Sequence, residues 1–286
     1  MSYKNWIPYS ISDESSVNWL FLGEKRYLEP FFEETIHICR RQPDNQKSIR
    51  QTDLAELNAA CKEITTVQPN AFIFHISRCG STLLTQLLSL QEANIVVSEA
   101  PILDTVLRWK YNAPSVQDDF RHTAFKNCVQ ILGQKRFDYE QHFFIKLDSW
   151  HLIFLEEIRK LFPDTPFIFM TRDLDAIRRS HQKMAGMHAV PGMLEPEIFD
   201  LRLPDVLYMH DSYLKHVLQK MLESVRAFRA KDGNNILLEY EDGAYPNYIK
   251  VHAFLGLELD ENTLRLAKER LKFHSKIPNE QFEPVP

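Results

Sequence analysis

Cysteine is scarce in this sequence of 286 residues, and its few occurrences follow no pattern. No CxxC pair or regular spacing joins them, so neither a disulfide framework nor a zinc site is expected, and a reducing compartment is the default. The cysteines are Cys39, Cys61, Cys79 and Cys128. The chain also lacks the basic-then-apolar start of a secretory signal and any run of roughly 18 apolar residues that could span a membrane. We therefore expect a cytoplasmic protein without a membrane partner.

The sequence has no excess of positive charge, because its formal net charge is -5 at pH 7. This balance argues against a nucleic-acid partner, which requires a basic surface. Hydrophobic residues make up 44% and charged residues 26%, an ordinary globular composition with enough material for a core. The length fits one large α/β domain or one domain with a helical appendage.

Residues 1–68 carry helical patterns at 31–40 and 52–64, separated by a polar stretch typical of a loop. No catalytic motif is found there. We predict an N-terminal helical segment packed on a main domain that spans residues 69–286.

From Ala71 onward, short apolar runs alternate with amphipathic helical patterns. Unbroken apolar strands between helices predict a parallel sheet covered on both faces, a three-layer α/β/α fold that binds ligands beyond the carboxyl ends of its strands. The predicted strands are 71–76, 94–97, 143–147, 167–170 and 235–238. The stretch Gly186–Pro204 has little periodicity and is typical of a lid or binding loop.

A turn between the first of these strands and the next helix is the most informative segment. Gly80 allows a close backbone approach, Ser81 and Thr82 add hydroxyl donors at the helix start, and Arg78 offers a planar fork to an anion. The alternative without a ligand is that Ser81 only caps the helix and that Arg78 is a solvated surface charge. The ATP- and GTP-binding form of this turn needs a lysine where Gly80 stands, which argues against a nucleoside-triphosphate enzyme.

The run Ser77, Arg78, Cys79, Gly80, Ser81 and Thr82 resembles the 5′-phosphosulfate loop of the sulfotransferases that use 3′-phosphoadenosine 5′-phosphosulfate (PAPS). Members of that family carry Arg or Lys, a small residue and then Gly-Ser/Thr-Thr in this setting. The resemblance implies a P-loop type α/β fold and these six residues as cofactor contacts.

A second phosphate site is indicated about ninety residues later. Arg172 ends a predicted strand, Asp173 is placed to cap the next helix, and Ser180 lies a little over two helical turns beyond Arg172. The segment is similar to the 3′-phosphate motif of the same family. The alternative is a capped surface helix with solvated arginines.

A third similarity lies at Leu237–Gly243, where a strand ends in Tyr-Glu-Asp. The resemblance implies that Tyr240 packs against the adenine, although a tyrosine that only fixes the strand end is the alternative. The glycine-rich basic loop that closes the 3′-phosphate site in cytosolic family members is missing, and Ser275 and Lys276 are the candidate replacements.

The resemblance implies transfer of a sulfuryl group from PAPS to a hydroxyl or amine of a small-molecule acceptor, with release of PAP. Glu99 and His151 are the principal candidates for the base that such a transfer needs, with Asp148 as a further one, and Lys146 resembles the lysine that contacts the transferring group. Arg78 and Lys146 supply positive charge, so no metal is required. Methionine and aromatic residues in the surrounding loops favour an apolar or aromatic acceptor.

Two other functions remain open from the residues. One is a P-loop kinase with a degenerate loop, which predicts magnesium-dependent ATP binding. The other is a catalytically inactive PAP-binding protein, which would keep both phosphate motifs.

Overall fold

The computed structural model describes residues 2–12, 15–47, 50–209, 212–276 and 280–281. The strands are β1 (Trp6–Ser12), β2 (Ser16–Phe21), β3 (Arg50–Asp53), β4 (Pro69–His75), β5 (Asn94–Ser98), β6 (His142–Lys146), β7 (Phe167–Thr171) and β8 (Asn235–Glu239). The α-helices are α1 (Phe32–Arg40), α2 (Pro43–Lys47), α3 (Ala55–Glu63), α4 (Ser81–Leu88), α5 (Pro101–Asn112), α6 (Asp118–Leu132), α7 (Leu155–Leu161), α8 (Leu174–Lys183), α9 (Leu203–Met209), α10 (Ser212–Arg229), α11 (Ala244–Leu255) and α12 (Glu261–Arg270). Short 3₁₀ helices occur at Ser149–Phe154, Met187–Ala189, Pro196–Phe199 and Tyr240–Asp242.

The centre of the molecule is a five-stranded sheet in the order β5-β6-β4-β7-β8. All four neighbouring pairs are parallel, with Phe72 of β4 opposite Ile145 of β6 and Phe167 of β7. These five strands are the ones that the apolar runs predict. The α/β fold class is therefore confirmed.

Both faces of this sheet are buried. On β4, Phe72 and Phe74 belong to one hydrophobic cluster, while Ala71 and Ile73 belong to another. Side chains alternate between the two faces of a strand, so the two clusters lie on opposite sides of the sheet. Helices α4, α11 and α12 contribute to the second cluster, and α5, α6, α7 and α10 contribute to the first. The result is the three-layer arrangement expected from the sequence.

The N-terminal region differs from the expectation. Helices α1 and α3 match the predicted helical patterns, but β1, β2 and β3 also form an antiparallel sheet that the sequence analysis did not predict. Strand β1 lies against α5 and α6, and Ile7 is completely buried in the same cluster as Phe72. The division of the chain at residue 68 stays a prediction.

The five parallel strands end at one edge of the sheet, and the residues that follow them form the candidate site. The segment 186–204 lies beside this edge; His188, Ile198 and Phe199 are buried, while about half of its residues are exposed. Within the described ranges, no helix has both the length and the apolar character needed to cross a bilayer.

Candidate functional site

The turn between β4 and α4 has an unusual backbone. Ser77, Arg78 and Gly80 have φ angles of 74°, 50° and 82°, in the left-handed region that side chains other than glycine rarely adopt. Helix α4 begins at Ser81 with Gly80 as its N-cap, and no side chain caps its first amide groups. The side chain of Ser81 therefore does not cap α4, contrary to the alternative in which the turn binds no ligand. The free amide groups at the start of α4 are suited to an anion.

The side chain of Arg78 has no carboxylate partner within ion-pair distance among the described residues. Its Nη2 donates instead to the main-chain oxygen of Met184, at 2.5 Å, just beyond the end of α8. The charge of Arg78 is thus held at the rim of the turn without being neutralised. Cys79 is completely buried, and burial raises the pKa of its thiol to about 11, so it contributes no charge.

Lys146 at the end of β6 and Glu99 just after β5 form an ion pair. The Lys146 Nζ lies 2.9 Å from Glu99 Oε1 and donates to Thr82 Oγ1 at 3.2 Å, although the lysine is completely buried. The Nε2 of His75 lies 3.2 Å from the same Glu99 oxygen. The hydroxyl of Thr82, in the anion-binding turn, therefore lies next to the pair of Lys146 and Glu99, both of which the sequence predicts to be catalytic.

The electrostatics of this group favour ionised Glu99. Burial opposes its ionisation and is the largest single influence, but Lys146 and His75 together outweigh burial and lower the pKa of the carboxyl. Burial also lowers the pKa of His75, despite the nearby carboxylate. Glu99 has a φ of 56°, a further strained residue at the site.

His151 does not have the surroundings of a general base. It is completely buried, its Nδ1 accepts from the main-chain N–H of Asp148 at 3.2 Å, and its Nε2 lies 3.0 Å from Asp104 Oδ1. Because both ring nitrogens are occupied, we do not carry His151 forward as a base. It orders the turn after β6 through a reciprocal capping box with Asp148.

Asp148 is the carboxyl group nearest in sequence to Lys146. Burial, followed by the charges of Glu99 and Asp104, raises its pKa well above its usual value and favours its protonated form. Asp104, Asp148 and His151 lie close enough to share a metal ion. However, Asp104 Oδ1 already accepts from Trp150 Nε1 at 2.6 Å, and the His151 nitrogens are occupied, so we assign no metal to this group.

Arg172 follows β7 and contacts the first anion-binding turn directly. Its Nη1 donates to the main-chain oxygen of Arg78 at 2.9 Å, and its guanidinium carbon lies 3.9 Å from the centre of the Tyr240 ring. Asp173 caps α8 as predicted, since its side chain accepts from Ala176 N. Ser180 is half-buried on α8. The pairing of Ser180 with Arg172 around a 3′-phosphate stays a prediction.

A cavity of about 330 Å³ opens beside the turn. Tyr240 forms part of its wall, and an added Cβ on Gly80 would lie 3.2 Å from that ring. The other walls come from α4, from the start of α11 and from the chain after α12, including Leu83, Asn247, Leu271, Phe273 and Ser275. The cavity is largely apolar at its walls, as a stacked base requires.

Three contacts at the site have no signal in the sequence. His181 Nε2 lies 3.1 Å from Ser77 Oγ and thereby joins the end of α8 to the turn. The ring of Phe31 lies 5.0 Å from Lys146 Nζ and 5.5 Å from Lys276 Nζ. Only the folding of the chain brings these residues together, because they are separated by more than 100 positions in sequence.

No protein-family model and no curated protein sequence matches the chain. Several solved structures are similar to it. Sulfotransferase STF9 from Mycobacterium avium is 13% identical, with a TM-score of 0.47 over 84% of this chain and 75% of that one. Sulfotransferase STF1 from Mycobacterium tuberculosis H37Rv is 14% identical, with a TM-score of 0.45 over 75% of this chain and 74% of that one.

Mouse sulfotransferase SULT7A1, solved in complex with PAP, is 10% identical, with a TM-score of 0.40 over 75% of this chain and 68% of that one. At such identities and TM-scores the likeness carries no argument on activity. The residues of the candidate site itself therefore provide the basis for a function.

Proposed function

We propose that this protein is a sulfotransferase that moves a sulfuryl group from PAPS to a hydroxyl or amine of a small-molecule acceptor and releases PAP. The observation that carries the proposal is the charge of the site. Arg78, Lys146 and Lys276 lie near Glu99, the carboxylate that pairs with Lys146; burial and the charges of Arg78 and Lys146 lower the pKa of Lys276, and Glu99 opposes that effect. Asp148 favours its neutral form, so two positive charges remain uncompensated.

A phosphosulfate group carries two negative charges, one on the phosphate and one on the sulfate. It therefore balances the excess charge of this crevice. The amide groups at the start of α4 and the hydroxyls of Ser81 and Thr82 supply the hydrogen bonds that such an anion needs.

The adjoining cavity and Arg172 support a nucleotide with a second phosphate. Tyr240 and Leu83 line the cavity and offer surfaces on which an adenine can stack. Arg172 stacks on the same tyrosine, and its Nε is buried without a partner in the described part of the chain. A buried unpaired guanidinium nitrogen favours an anionic ligand, such as a 3′-phosphate.

In the proposed reaction, the acceptor oxygen or nitrogen attacks the sulfur as the bond from sulfur to the 5′-phosphate oxygen breaks. The acceptor proton passes to Glu99, and the electron pair of the broken bond stays on PAP. Lys146 and Thr82 stabilise the charge that develops on the oxygens. Bound phosphosulfate also competes with Glu99 for Lys146, which raises the proton affinity of Glu99 toward the range that a base requires.

The acceptor class follows from the loop beside the site. Met184, Met187 and Met193 are exposed by 65%, 39% and 50%, and methionine surfaces adapt to apolar ligands of varied shape. We propose an apolar or aromatic acceptor, and no nucleic-acid or membrane partner. The four free cysteines fit a reducing compartment such as the cytoplasm.

Thermal denaturation with PAP, with ATP and magnesium, and with adenosine 5′-phosphate tests the proposal. A ligand at about 100 times its dissociation constant stabilises the fold by roughly 2.7 kcal/mol, so PAP alone is expected to raise the melting temperature clearly. Turnover of PAPS against a panel of phenols, alcohols and amines is then measured. Stabilisation by ATP and magnesium instead would point to a kinase, and PAP binding without turnover would point to an inactive binder.

A further inference from the structure

The chain that follows α12 passes along the candidate nucleotide site. Leu271, Phe273, His274 and Ser275 line the same cavity as Gly80 and Tyr240. This segment, residues 271–276, is named the C-terminal strap.

The C-terminal strap is fixed to the helix that begins at the anion-binding turn. Arg270 donates to Gln86 of α4, to the main-chain oxygen of Phe273 at 3.1 Å and to that of His274 at 3.0 Å. The main-chain N–H of Lys276 in turn donates to His274 Nδ1 at 3.2 Å. These bonds hold Lys276 beside the site.

The ammonium group of Lys276 converges with that of Lys146 on one aromatic ring. Lys276 Nζ lies 5.5 Å and Lys146 Nζ 5.0 Å from the centre of Phe31, within range of cation–π attraction. Lys146 already pairs with Glu99, and Lys276 has no ion-pair partner in the parts of the chain that the structure describes. Of the two cations at this ring, only Lys146 pairs with a carboxylate among the described residues, which favours a further anion at this point.

We propose that Lys276 binds the sulfuryl oxygens of PAPS, and that the C-terminal strap thereby closes the cofactor site at its transferring end. This inference rests on the proposed sulfotransferase function. The strap would cover the nucleoside with Phe273 and Ser275 and the sulfuryl group with Lys276. Lys276 would then be the third cation of the crevice, after Arg78 and Lys146, and it lies far from both of them in sequence.

Calorimetric titration with PAPS and with PAP, in the absence of any acceptor, tests the assignment because only PAPS carries the sulfuryl group. For Lys276→Ala we expect about tenfold weaker binding of PAPS, the effect of losing one charge-assisted hydrogen bond, and PAP binding within threefold of the wild type. Lys276→Gln keeps the length of the side chain without its charge and is expected to behave like the alanine variant. Lys272→Ala is the matched control, since this strap lysine is 61% exposed and pairs with Glu269.

Equal weakening of PAPS and PAP, or unchanged PAPS binding in both variants, would overturn the role of Lys276. Equal losses in Lys272→Ala would show a general effect of surface charge and would also overturn it. If the wild-type protein binds neither nucleotide, the proposed sulfotransferase function itself fails. The two failures are therefore distinguishable.

Discussion

The guanidinium of Arg172 donates a hydrogen bond across 2.9 Å to the main-chain oxygen of Arg78. Strands β4 and β7 are neighbours in the sheet, and the bond joins the end of β7 to the strained turn that follows β4. Arg172 and the anion-binding turn, which we propose as the two phosphate sites, are therefore in direct contact.

Arg172→Ala should remove the preference for a 3′-phosphate. A charge-assisted hydrogen bond contributes about 1.5–3 kcal/mol, so PAP binding should weaken by about 10- to 100-fold, while binding of adenosine 5′-phosphate changes much less. The ratio of the two dissociation constants is the measurement. Arg179→Ala, an exposed arginine of α8, is the control. An unchanged ratio in Arg172→Ala would reject the 3′-phosphate assignment.

Glu99→Gln should reduce turnover by about 10²–10⁴ if Glu99 takes the acceptor proton. Binding of PAP should be kept or strengthened, because the change removes the carboxylate that pairs with Lys146 and leaves the crevice more positive. Steady-state kinetics and PAP titration measure the two effects separately. Glu92→Gln changes an exposed glutamate before β5 and serves as the control. Turnover within threefold of the wild type would remove Glu99 from the role of base.

The pH dependence of turnover distinguishes Glu99 from Asp148. A base must be ionised, so activity is lost as the pH falls through its pKa. In the unliganded site the pKa of Glu99 is lowered, so with this base kcat/KM for PAPS, which reports the free protein, should persist to below the usual glutamate range of about 4.3. The pKa of Asp148 is raised well above its usual value, so with Asp148 as base the loss would begin at clearly higher pH. If Glu99 is the base, the pH profiles of the wild type and of Asp148→Asn should therefore have the same acidic limb. An acidic limb that is present in the wild type and absent from Asp148→Asn would show that Asp148 is the base.

Gly80→Ala tests the close approach at the turn. Both Gly80 and Gly192 have a φ of 82°, so alanine at either position should cost about 1–2 kcal/mol of stability. Only at position 80 would the new Cβ press on a neighbour, at 3.2 Å from the Tyr240 ring, whereas position 192 is open. Gly80→Ala should therefore weaken PAP binding at least tenfold, and Gly192→Ala should leave it unchanged. Equal PAP affinities in the two variants would contradict a ligand at this turn.

Local patterns were sufficient to predict the central sheet and the anion-binding turn. An apolar run, a glycine and a hydroxyl-rich helix start lie within about ten residues, and their conformations depend mainly on one another. The same holds for Asp173, whose capping role follows from its position at the start of α8. The pairing of β2 with β3 was missed because it joins residues 16–19 to residues 50–53 across an intervening helical region, and the local hairpin of β1 and β2 was also not predicted.

The amino-acid sequence by itself determined that buried strands alternate with helices and that a strand–turn–helix element can hold an anion. Only the tertiary structure decided that His151 is enclosed by Asp104 and Asp148, that Glu99 pairs with Lys146, and that Phe31 meets Lys276. The physical reason is that these side chains meet through the strand order β5-β6-β4-β7-β8 and through the placement of Phe31 and Lys276 beside Lys146 of β6 and beside each other. Contacts between residues so far apart in sequence depend on how whole elements bury their apolar faces, which no local pattern encodes.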